Sequence, residues 1–147
     1  MGPTTGKNPN TVEKLTIRNN EGDIRETGIW LARISEARGF SEKTRFALDL
    51  VLNEVLINVV QYGFEHETIH QINIMLEELP TGVRVLIDDD GVPFNPLKQH
   101  VPEPSNDLDK AWGSGRGVLL VRQYCRDMEY QNRNGRNFLS LTVAKDP

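Results

Sequence analysis

The sequence predicts an α/β fold: a two-layer α/β sandwich with a mostly antiparallel sheet covered on one face by helices. Three observations predict it. Strand-like and helix-like stretches follow in the order strand, helix, helix, strand, strand, loop, helix, strand, strand. Pro80-Thr81-Gly82 and Asn134-Gly135 are turn signals between neighbouring strands, which makes those pairs antiparallel. The longest helical stretch carries an apolar stripe that has to be buried against something. Helices on one face of such a sheet satisfy all three.

The elements follow in order. Met1–Asn10 has two Gly and two Pro and almost nothing apolar, so residues 1–12 read as a disordered lead-in and 13–147 as one domain. Lys14–Asn19 alternates, with Leu15 and Ile17 on one face of a short strand. Gly22–Arg38 is an amphipathic helix carrying Ile24, Ile29, Trp30, Leu31 and Ile34, closed by Gly39 in a left-handed conformation. Ser41 is the N-cap of the next helix, and Glu42 complements its dipole. Along ALDLVLNEVLINVVQYGF, residues Leu48, Val51, Leu52, Val55, Val59 and Tyr62 form one stripe. Gly63 is expected to end that helix as a second left-handed cap. Leu50, Ile57 and Val60 lie off the stripe, to be covered by the preceding helix or used to dock a protein.

Gln71–Glu78 and Val83–Asp88 are strands around the first turn, and the second runs into DDDGVPFNPL. From Lys98 to Trp112 the chain is polar and aperiodic, the signature of a functional or disordered loop. GSGRG at Gly113–Gly117 then opens a helix, VLLVRQYC, in which Cys125 is a small core residue. Met128–Asn132 and Asn137–Val143 complete the sheet as a type I′ hairpin.

Composition narrows the function classes. At 147 residues, 37% hydrophobic and 26% charged, this is a globular chain able to bury a core. A net charge of -4 leaves no basic footprint, so neither direct nucleic-acid binding nor an anionic membrane surface is expected. No apolar run approaches the roughly 20 residues of a membrane span. One cysteine excludes an internal disulfide and fits a reducing, cytoplasmic setting.

Three polar islands interrupt apolar elements: Glu54 with Asn58, Asp89-Asp90-Gly91, and Gly113–Gly117. Glu54 and Asn58, four residues apart, stack one turn above the other at the border of the stripe. GSGRG lacks the Gly-Lys-Ser/Thr of a phosphate-binding loop and does not sit where a dinucleotide fold needs it. A carboxylate at a strand end can accept a hydrogen bond from an exocyclic amine, and Gly91 lets a flat base approach. Asn58 offers a neutral oxygen to Mg²⁺, and Glu54 can take a proton from an attacking hydroxyl. Glycines before a helix offer free N–H groups to phosphates. Together these are the parts of an ATP site.

ExxxN on a helix, DxGxPF after a strand and GxGxG opening a helix resemble the Bergerat ATP fold of the GHKL, or histidine-kinase-like ATPase, superfamily. The resemblance runs from about Leu15 to Val143. Within it, NEVLINVVQYGF, DDDGVPFNP and GSGRGVLLVRQYCRDMEY resemble the boxes of the anti-sigma-factor serine/threonine-protein kinases of bacterial partner switching. The resemblance implies Glu54 as general base, Asn58 as Mg²⁺ ligand, Asp89 as reader of the adenine amino group and Gly91 beside the base. It implies phosphate contacts from Gly113, Gly115 and Gly117 and a lid from about Asn95 to Trp112. Arg116 would meet phosphate charge or lie on the surface. Many relatives have His where Tyr62 stands, and Tyr62 could instead complete the core stripe. Asp88 and Asp90 suggest calcium, but Gln99 stands where a calcium loop ends in glutamate.

The implied function is an ATP-dependent serine kinase that phosphorylates an anti-anti-sigma antagonist protein and sequesters a sigma factor or analogous client. Its relatives often form homodimers. The alternative is an ATP-binding interaction module without phosphotransfer, against which Glu54 argues. A sensor histidine kinase core fits poorly, because none of the three histidines lies in a phosphoacceptor-like helix.

Overall fold

A computed structural model describes residues 12–65, 68–98 and 116–145, with the backbone alone at 116–119. The elements run β1 (Val12–Arg18), α1 (Glu21–Arg38), α2 (Glu42–Tyr62), β2 (Gln71–Leu79), β3 (Gly82–Asp89), a 3-10 turn (Pro96–Lys98), α3 (Arg116–Tyr124), β4 (Cys125–Arg133) and β5 (Arg136–Ala144). The order is the expected one, and the sheet is antiparallel throughout, β1-β2-β3-β5-β4. β1 begins at Val12, one residue inside the expected lead-in, and Met1–Asn10 lies outside the described residues.

Alternation along the strands decides which face is buried. Ile72, Ile74 and Leu76 of β2, Val83, Val85 and Ile87 of β3, and Leu139, Leu141 and Val143 of β5 point to the helices. They meet Leu48, Val51, Leu52, Val55, Leu56 and Val59 of α2, all within one core. The other face carries a polar ladder. Thr16 Oγ1 donates to Asn73 Oδ1 (2.8 Å), Asn73 Nδ2 donates to Asp88 Oδ1 (3.0 Å), and Arg136 pairs with the same Asp88 oxygen.

Helix boundaries follow from their caps. Asn20 Oδ1 accepts from Asp23 N at 2.8 Å, a cap the sequence reading lacked, and Ser41 caps α2 by accepting from Thr44 N at 3.1 Å. Gly39 is left-handed as expected, φ 69°, and Asn134 and Gly135 both take positive φ. Gly63 corrects the expectation: at φ −89°, ψ −6° it is right-handed. It is crowded rather than twisted, because a Cβ there would lie 2.5 Å from Val59 O.

Two further expectations change. Cys125 is not on a helix but begins β4, where it packs half-buried against the core. Burial pushes its thiol up to about 12, which leaves it unreactive. Tyr62 does not complete the core stripe: it is 44% exposed, with its ring 6.0 Å from that of Phe94. The off-stripe residues Ile57 and Val60 are partly buried against the core, in line with the covered reading rather than the docking one. At the end remote from Gly63, the Arg38 guanidinium, 2% exposed, bonds Glu78 (2.9 Å) and Glu13 (3.1 Å), and Lys145 also reaches Glu78 (2.7 Å). That cluster ties α1 to β1, β2 and the end of β5.

Candidate nucleotide site

The site lies where α2 and β3 both finish. Val92 N donates to Gly63 O at 2.8 Å, fastening the stretch after β3 to the last residue of the α2 turn. A Cβ on Gly91 would fall 2.1 Å from Gly63 O and 3.0 Å from both Asp89 Oδ1 and the Phe64 ring. Only glycine permits this approach, so the two backbones meet directly.

Asn58 precedes Gly63 by five residues, about 7–8 Å along the helix axis. It is 6% exposed, yet its carboxamide has no hydrogen bond among the described residues. The amide is not among the fully enclosed polar atoms left unsatisfied, so its tip keeps access to solvent or a ligand. Glu54, one turn earlier, is partly buried, and desolvation holds its carboxyl above the usual range.

Asp89 continues the inward alternation of Val83, Val85 and Ile87 and is 4% exposed. Its Oδ1 accepts from Gly91 N (2.8 Å) and Asn137 Nδ2 (3.0 Å), and no hydrogen bond among the described residues falls on Oδ2. Burial pushes the carboxyl up, while the bonds from Asn137 and Gly91 oppose that. Its two neighbours are otherwise engaged. Asp88 belongs to the polar ladder on the far face, and Asp90 Oδ1 lies 2.8 Å from His70 Nδ1. The strand pleat thus assigns three consecutive acids to different surroundings, and no group of three metal-binding side chains exists among the described residues.

Asn137 is the residue that the sequence reading missed. It faces Asp89 across the β3–β5 register and is 4% exposed. Its signal was present: it is a polar interruption of the inward row Asn137, Leu139, Leu141, Val143.

The third island is described only at its end. Arg116 and Gly117 are the first two residues of α3 rather than a loop before it, and their first-turn N–H groups have no intrahelical acceptor. Gly113 and Gly115 lie outside the described residues, as does the expected lid beyond Lys98. Its first residues are fixed. Asn95 Oδ1 accepts from Leu97 N (2.9 Å), and Arg122 Nη2 donates to Leu97 O (2.7 Å), tying this turn to α3.

The chain is similar to known proteins. The chain is 31% identical over 118 residues to serine/threonine-protein kinase BtrW of Bordetella bronchiseptica, covering 80% of this chain and 83% of that protein. The catalytic domain of histidine kinase ThkA superposes with a TM-score of 0.48 at 19% identity, covering 90% of this chain and 97% of the domain. Acinetobacter baumannii histidine kinase AdeS gives 0.44 at 13%, covering 94% of this chain and 69% of that one. No described helix is long and apolar enough to cross a membrane. The profile of the histidine kinase-like ATPase domain matches residues 17–143, nearly the whole chain, and this chain therefore belongs to that ATP-binding, kinase-like family.

Proposed function

We propose that the chain is an ATP-dependent anti-sigma factor serine kinase of a cytoplasmic partner-switching system. It phosphorylates a serine of an anti-anti-sigma antagonist and, in the alternative complex, sequesters a sigma factor or similar client. The observation that carries this reading is the pairing, one helical turn apart, of the half-buried Glu54 carboxylate with the Asn58 carboxamide, which makes no hydrogen bond to a described residue. Likeness to a named serine/threonine kinase over 80% of the chain supports it.

Each residue then has a role. Asp89 accepts the adenine amino group through Oδ2, with Gly91 leaving room for the ring. Asn58 would hold Mg²⁺ through its carboxamide oxygen, and the bound ion neutralises phosphate charge. Glu54, whose raised pKa makes it the stronger base, takes the proton of the attacking serine hydroxyl. Gly113, Gly115, Gly117 and Arg116 receive the phosphates at the start of α3. Phosphoryl transfer asks for position and charge stabilisation rather than covalent catalysis, which a site this small can supply.

The test is labelled ATP with the purified chain and candidate antagonist proteins of the same organism. Phosphoserine should form on one antagonist, and Glu54→Ala should slow transfer by about 10²–10⁴-fold while ATP still binds. Transfer at the wild-type rate by that variant removes Glu54 as the base. Absence of transfer to every antagonist removes the kinase reading.

A further inference from the structure

Asn137 is a hub whose connections leave it one orientation. Its Oδ1 accepts from the Tyr130 hydroxyl, from Asn132 Nδ2 (3.0 Å) and from Phe94 N (3.4 Å). Its Nδ2 donates to Val92 O (2.9 Å) and to Asp89 Oδ1 (3.0 Å). Flipping the amide would set its oxygen against the Val92 carbonyl and the Asp89 carboxylate and its NH₂ against the Phe94 N–H, so those three fixed groups hold the orientation. Asp89 Oδ1 is thereby held between two donors, Asn137 and Gly91 N. The carboxylate is fixed in plane as well as in place, and Oδ2 is left to a ligand.

We propose that Asn137 is a positioning residue that sets the choice of nucleobase: by fixing Asp89 it admits a 6-amino purine and refuses a 6-oxo purine. This rests on the reading of Asp89 as the base reader. A 6-amino purine presents an N–H donor at the exocyclic position, where a fixed Oδ2 accepts it. A 6-oxo purine presents an acceptor oxygen there and moves its donor to ring N1. A carboxylate free to turn could follow the donor to N1; one pinned by Asn137 cannot, and two acceptors are left facing each other. A site built to bond one group rejects the analogue lacking it more strongly than any apolar pocket could. Burial alone would favour a protonated Asp89 able to donate to a 6-oxo group, and the Asn137 bond opposes that too. The device reaches the sheet edge, since Tyr130 and Asn132 belong to β4.

The experiment is calorimetric titration of the full chain with MgATP and with MgITP, whose bases differ at the 6-position and its tautomer. Wild type should prefer ATP by about tenfold or more. Asn137→Leu keeps the shape without the amide: ATP should weaken about tenfold, ITP much less, and the ratio should fall to within about threefold. Tyr130→Phe removes one donor from the hub and should lower the ratio by a smaller factor, about threefold. Equal weakening of both nucleotides in Asn137→Leu, the mark of a merely structural residue, overturns the proposal. So does an unchanged ratio. If Asn137→Leu shows no cooperative melt, Tyr130→Phe decides alone, and an unchanged ratio there overturns it. Asp89→Asn separates the two levels. If that variant binds ATP as wild type does, the site reading fails and this inference with it. If it loses ATP while the hub variants keep their ratio, only the inference fails.

Discussion

Glu54 and Asp89 are both carboxyl groups held above their usual range by burial, but only Asp89 has donors opposing the shift. Glu54 has none among the described residues, so its burial is a cost to folding. The sign follows from linkage. A carboxyl whose folded pKa exceeds its unfolded one binds its proton more tightly in the folded chain, so stability falls as pH rises from the usual glutamate range through the raised value. Glu54→Gln should therefore melt higher than wild type at pH 7–8, on the order of 1–2 °C, with the gap closing as the pH drops below about 4. A lower melting temperature at pH 7, or a gap indifferent to pH, would show that Glu54 is not under that strain. Stability gained where activity is lost is the usual trade at a working site. Glu54, Asn58 and Asp89 were legible because each breaks an apolar period within its own segment. Asn137 breaks one too, but its meaning depends on facing a residue 48 positions away. That pairing is fixed by strand register, which one-dimensional pattern does not carry.

At the scale of elements, the decisive contact is the meeting of α2 with the turn after β3. Gly91→Ala would drive a methyl into Gly63 O, a main-chain atom with no rotamer to escape by, and would break the Val92–Gly63 bond. The cost should be about 1–3 kcal/mol, or roughly 3–10 °C in melting temperature by scanning calorimetry, with ATP affinity lost even where the chain stays folded. A variant that melts and binds as wild type does would show that the helix end and the strand end move independently. Element order and type were readable from period and turn chemistry, since the hairpins and the α2 cap are local. Boundaries were less so. Cys125 reads as helix because VLLVRQYC continues an apolar pattern, but pairing with Val143 draws it into β4. Gly63 reads as a left-handed cap because glycine usually serves that role, whereas here the lack of a side chain matters for space.

Across the whole molecule, Asp89, Gly91 and Asn137 sit together at the end where α2 meets the turn after β3, and the buried Arg38 cluster anchors the other end. A ligand that binds only the folded chain stabilises all of it. MgATP at about 100 times its dissociation constant should add about 2.7 kcal/mol and raise the melting temperature by roughly 5–10 °C. In Asp89→Asn the shift should vanish, and a full shift in that variant would move the adenine site elsewhere. The overall architecture was legible because it follows from burying one face of five strands. The stretch from Lys98 to Trp112 has no period and reads only as a functional or disordered loop, and beyond Lys98 it lies outside the described residues. The glycine-to-glycine seam has a last consequence. Since the closest approach there is to a main-chain carbonyl, substitutions that repack the interior elsewhere leave that spacing unchanged. Descendants of this chain would inherit that spacing from the polypeptide trace itself.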